Sequence, residues 1–65
     1  MDKVSRFILA VESSNLTLSK VSNSLGITLH ELITKVVNNL DFLSQEMVTL
    51  SEILHLENPY NFFYN

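Results

Sequence analysis

A chain of 65 residues with no cysteine has room for one small domain, 1–65, and no disulfide or thiolate-held metal to brace it. Its 46% apolar residues must close a core by packing alone or against a partner. Four basic residues (Lys3, Arg6, Lys20 and Lys35) face seven acids for a net charge of -3, which argues against a surface built to neutralise many phosphates.

In chain order, Val4, Phe7, Ile8 and Val11 fall at i, i+3, i+4 and i+7, which predicts a first helix over about 2–13. Asp2 stands at its start, where a negative charge suits the helix dipole. After the polar break Ser13-Ser14-Asn15, a second helix is expected from about Thr17 to Leu25. Val21 and Leu25 face inward one turn apart, and Ser22 is small enough for a close crossing. Gly26 suits the left-handed residue that ends a helix. Thr28 and Glu31 then have capping-box spacing, hydroxyl to Glu31 amide and carboxylate back to Thr28 amide. A third helix follows over about 28–38 and stops at Asn38-Asn39. Two short helices separated by so tight a glycine turn read as a helix-turn-helix.

Asp41 to Ser44 forms a connector, with Phe42 as a core plug. Ser44 is expected to cap a fourth helix, with Gln45 and Glu46 in its first turn. Met47, Leu50 and Leu54 line its inner face and Ile53 lies at the margin. Asn58-Pro59 reads as a cap followed by proline at the first helical position. The closing turn carries Tyr60, Phe62, Phe63 and Tyr64, four of the six aromatics in the chain. These pack back on the core or anchor a dimer or partner. No period-two alternation or hairpin dipeptide points to strands. The core is expected to hold Phe7, Ile8, Val21, Leu25, Ile27, Leu32, Val36, Leu50 and Leu54.

The run Leu16-Thr17, Val21-Ser22, Leu25-Gly26-Ile27-Thr28 resembles the central pattern of lambda-repressor-like helix-turn-helix domains of the Cro and XRE type. The downstream residues Phe42, Glu46-Met47, Ile53-Leu54-His55-Leu56 and Phe62-Phe63 are similar to small regulators from temperate phages of Gram-positive bacteria. The resemblance spans about 16–63. It implies an all-α bundle of four to five short helices, commonly dimeric and commonly bound to operator DNA.

The residues at the expected reading positions differ from that pattern. Where DNA-reading relatives carry polar phosphate or base contacts, this chain has Leu18, Leu29, His30, Ile33 and Thr34, with acidic Glu31 among them. At about 100° per residue, Leu32, Val36, Leu29, Leu40, Ile33 and Val37 span roughly 140° of arc. The part around Leu32 and Val36 suffices for a core stripe. Leu29 and Ile33 therefore either rotate into the core, or form an exposed apolar contact patch beside Leu18, or touch thymine methyl groups. Lys20 and Lys35 are either a solvated face or contacts to phosphate or an acidic partner.

No constellation for catalysis is visible. His30 and His55 lack a third ligand, Glu52 and His55 are a single i, i+3 pair, and no nucleophile elbow or glycine-rich phosphate loop is present. No enzyme activity, cofactor, metal or small-molecule substrate is expected. No run approaches the roughly 20 apolar residues of a membrane span. The start at Met1-Asp2-Lys3 shows no secretion signal, so the glycosylation tripeptide Asn15-Leu16-Thr17 reads as coincidence and bacterial host cytoplasm is the expected compartment. The sequence thus suggests a phage-type regulator whose contact residues are Leu18, Lys20, Leu29, His30, Glu31, Ile33, Thr34 and Lys35. Two partners fit: a repressor protein, which it would mask as an antirepressor or modulator, or operator DNA, bound in Cro fashion by a homodimer.

Overall fold

The computed structural model describes residues 2–64. Five helices follow in order: α1 Lys3–Ser13, α2 Leu18–Leu25, α3 Leu29–Val37, α4 Ser44–Ile53 and α5 Pro59–Tyr64. The protein is all-α, with no strand among the described residues. No helix in them is long and apolar enough to cross a membrane.

The helix starts follow the local chemistry of the chain. Asp2 Oδ1 accepts from the Ser5 amide at 2.7 Å and Thr17 Oγ1 from the Lys20 amide at 3.2 Å. The reciprocal Thr28–Glu31 box closes at 3.0 Å in both directions. Asn58 Oδ1 accepts from the Asn61 amide at 3.2 Å, ahead of Pro59. Each side-chain acceptor satisfies an amide that the first turn leaves without a partner. The start of α4 differs from the sequence expectation. Leu43, not Ser44, holds the cap position, and Glu46 Oε1 reaches back to the Leu43 amide at 2.8 Å. That carboxylate, three residues into the helix, satisfies the Leu43 amide, while no side chain caps the first-turn amides as the serine hydroxyl was expected to.

The ends of α1, α2 and α4 share one device. At Gly26 (φ 70°) the Ile27 amide donates to the Ser22 carbonyl and the Gly26 amide to the Asn23 carbonyl, a Schellman closure. The same pair of bonds recurs after α1 around Asn15 (φ 58°) and after α4 around His55 (φ 54°). After α3, Asn39 and Leu40 are left-handed in succession, and the Asp41 amide returns to the Lys35 carbonyl at 2.9 Å. Leu40 therefore lies beyond α3 rather than on its wheel, yet it is buried. Its burial offsets the strain of a backbone that L-residues avoid.

The core draws on every helix and on the α3–α4 connector. Phe7 and Val11 come from α1, Val21 from α2, Leu32 and Val36 from α3, Leu50 from α4 and Phe63 from α5, with Leu40, Phe42 and Leu54 between elements. Phe42 joins the two ends of the chain: its ring lies 5.8 Å from Phe7 and 6.1 Å, edge-on, from Phe63. α2 packs on α3 and α4, α1 on α3, and α5 on α4. Ser22, at the α2 crossing, is buried and donates its hydroxyl to the Ser19 carbonyl at 2.8 Å. Ile8, Leu25 and Ile27, expected inside, are half-buried and pack against the core from its edge. A 65-residue chain has too little volume to enclose them.

Candidate functional site

α3 presents a ridge of aliphatic side chains to solvent. Leu29, Ile33 and Val37, four residues apart, are 41%, 44% and 62% exposed. Leu32 and Val36 on the adjoining stripe are buried, so α3 is not rotated to draw Leu29 and Ile33 into the core. Beside the ridge runs a groove of about 120 Å³, lined by Val4 and Ile8 of α1, Leu18 of α2 and Leu32, Ile33, Val36 and Val37 of α3. Leu18 is half-buried and forms part of its wall. No lining residue is polar. Sequence reasoning missed the share of Val4 and Ile8 in this surface, because their i, i+3, i+4 spacing reads simply as core.

The polar residues expected at the site separate into two groups. His30 and Thr34 are exposed on α3, with the Thr34 hydroxyl turned back to donate to the His30 carbonyl at 3.0 Å. Lys20 is exposed on α2. Glu31 and Lys35 are committed elsewhere. The Thr28 backbone amide, followed by its hydroxyl, holds the Glu31 carboxyl below its ordinary value, because both favour the charged cap. Lys35 Nζ donates to Glu46 Oε1 at 2.8 Å, and that carboxylate is almost wholly buried. The same oxygen accepts the Leu43 amide, so one carboxylate ties α3 to the start of α4 and neutralises the lysine. The burial of Glu46 had no sequence signal beyond its place in a first turn.

A second apolar hollow, about 440 Å³ and open, lies between α4 and α5, with Met47, Val48, Pro59, Tyr60 and Tyr64 around it and Glu52 in its lining. The aromatic tail divides here. Phe63 is buried and Phe62 half-buried, whereas Tyr60 and Tyr64 are exposed, with ring centroids 5.0 Å apart and planes tilted by 42°. The Tyr64 hydroxyl donates to Met47 Sδ at 3.6 Å. Among the described residues no group of three or more His, Cys, Asp or Glu side chains converges to hold a metal ion.

No family model, curated protein or solved structure matches this chain.

Proposed function

We propose that this chain is a small phage-type regulator of a lysis–lysogeny or similar switch, built on a lambda-repressor-like helix-turn-helix scaffold with α3 in the recognition position. It acts by binding a protein. The partner is a repressor whose basic DNA-reading face it covers, so that the repressor leaves its operator without being cut or modified. One observation carries this reading: the α3 ridge is aliphatic where a base reader needs donors and acceptors. Two others support it. Lys35, a candidate phosphate contact, is already neutralised by Glu46. The net charge of -3 suits a basic partner and would speed encounter at low salt.

The second reading is a Cro-like dimer on operator DNA. The exposed Lys20, His30 and Thr34 favour it, with Leu29 and Ile33 then meeting thymine methyl groups.

One paired titration separates the two. The protein is titrated at low and at physiological salt against the repressor encoded at the same locus, against duplex from the switch region, and against random duplex. The protein-binding reading expects a saturable complex with the repressor and negligible duplex binding. Ile33→Asp should abolish that complex by burying an unpaired charge while the helical circular dichroism is retained. Steep, salt-dependent duplex binding with no repressor complex would establish the second reading instead.

A further inference from the structure

We propose that the hollow between α4 and α5 is a docking site for an arginine-bearing segment of another protein. The site lies on other helices than the α3 ridge, and the inference stands whether or not the proposed function holds.

The lining supplies the chemistry. Met47 and Val48 of α4 and Pro59, Tyr60 and Tyr64 of α5 surround a space of about 440 Å³. Val48, Tyr60 and Tyr64 are 61%, 69% and 56% exposed, so nothing within the chain covers them. The two tyrosine rings, 5.0 Å apart and tilted, offer aromatic faces to an incoming group. Most polar atoms here are committed. The Ser51 hydroxyl donates to the Met47 carbonyl at 2.7 Å, and the Tyr64 hydroxyl to Met47 Sδ at 3.6 Å. Glu52, in the lining and exposed, has no ion-pair partner among the described residues.

An arginine side chain answers each of these features. Its methylene stem lies on Met47, Val48 and Pro59, its planar head stacks on a tyrosine ring, and its fork of donors meets the Glu52 carboxylate. A neutral apolar segment would cover Glu52 without pairing it, and an acidic or phosphate-bearing one would be repelled. Lysine, a compact and strongly hydrated charge, stacks less well.

Charge along the chain points the same way. Residues 1–35 hold three acids and all four basic residues, whereas residues 36–65 hold four acids and no lysine or arginine. Lys35 neutralises Glu46, so Asp41, Glu52 and Glu57 stand for the whole net charge of -3. Glu52 lines the hollow, and exposed Glu57 stands two residues before Pro59. This end of the molecule therefore attracts a basic partner. A second copy of the chain does not fit. Its one arginine, Arg6, is half-buried in α1, and two such ends would bring carboxylates together.

The test is an amide-resolved NMR titration of the whole protein with the blocked tripeptide acetyl-Leu-Arg-Leu-amide, up to about 10 mM. The dissociation constant should be on the order of 1 mM. Shifts should concentrate at Val48, Glu52, Tyr60 and Tyr64. Replacing the arginine by citrulline, which keeps the shape and removes the charge, should weaken binding at least threefold. Glu52→Gln should do the same, while Glu12→Gln, an equal charge change at an exposed position on α1, should leave binding unchanged. The citrulline comparison uses the wild-type chain and so decides the matter even if a variant fails to fold. No shifts up to 10 mM, shifts centred on α3, equal binding of the citrulline peptide, or equal weakening by Glu12→Gln would each overturn the proposal. No repressor or duplex is present in these titrations, so this proposal and the proposed function fail separately.

Discussion

Breaking the Lys35–Glu46 pair should cost this domain a large part of its stability. Glu46 Oε1 holds two donors at 2.8 Å, the Lys35 ammonium and the Leu43 amide. Losing the amide acceptor at a helix start costs about 1 kcal/mol. Orphaning a charge from a fully buried pair costs roughly 3–5 kcal/mol, but the Lys35 side chain is 24% exposed and can turn to water when its partner is removed. Glu46→Ala should therefore destabilise by about 2–3 kcal/mol in total, roughly 1 from the cap and the rest from the pair. Lys35→Met keeps the apolar stem but leaves the Glu46 carboxylate, only 6% exposed at the side chain, with the Leu43 amide alone. It should cost about 2–3 kcal/mol. In Lys35→Met/Glu46→Gln the glutamine oxygen still accepts the amide and no charge is stranded, so the double variant should lie within about 1 kcal/mol of wild type. Against a total stability of roughly 3–10 kcal/mol for a chain this size, each single change lowers Tm by about 10–20 °C. Urea and thermal unfolding followed by far-ultraviolet circular dichroism measure all of these. Single variants within about 0.5 kcal/mol of wild type, or a double variant that simply sums the singles, would refute the argument that burial makes this pair cooperative.

Three further outcomes follow from local geometry. Leu50→Ala, at a fully buried position, should destabilise by about 2–5 kcal/mol, and Leu25→Ala, at the edge of the core, by clearly less; equal losses in denaturant unfolding would contradict the burial order. His55 sits at φ 54° on the exposed end of α4, so His55→Gly should raise stability by about 0.5–1 kcal/mol; a lowered Tm would show that the imidazole does something the backbone argument omits. The Asp2 and Glu31 carboxyls are held below their ordinary values of 3.8 and 4.5, chiefly by the Ser5 and Thr28 amides. A depressed folded value means that the cap contributes fully above those pH values and is lost as pH falls through the folded ones. Acid titration of stability should thus decline below about pH 4.5, and Glu31→Gln should flatten part of that decline.

How much of this was written in the chain depends on how local each feature is. Asp2, Thr17, Thr28 with Glu31, and Asn58 before Pro59 mark helix starts because a side chain needs only its own next turn to cap it. Gly26 marks a helix end because the left-handed conformation is its own preference. Asn15 and Asn39 are weaker forms of that signal. Leu40 carries none and His55 little: core burial holds the left-handed backbone of the first, and the Schellman bonds that of the second. The helix period predicted the buried stripe of α3 but left Leu29 and Ile33 undecided, since an arc of about 140° fits both a deep core and an exposed ridge. Only the packing of α1 and α2 against α3 decided that Leu32 and Val36 are covered while Leu29, Ile33 and Val37 remain in solvent. The fate of Lys35 was likewise invisible, because its partner Glu46 lies 11 residues away. Capping and periodicity are near-neighbour effects and can be read along the chain. The exposure of a ridge, and whether a lysine stays free, depend on which other helices arrive beside it, and tertiary packing alone settles that.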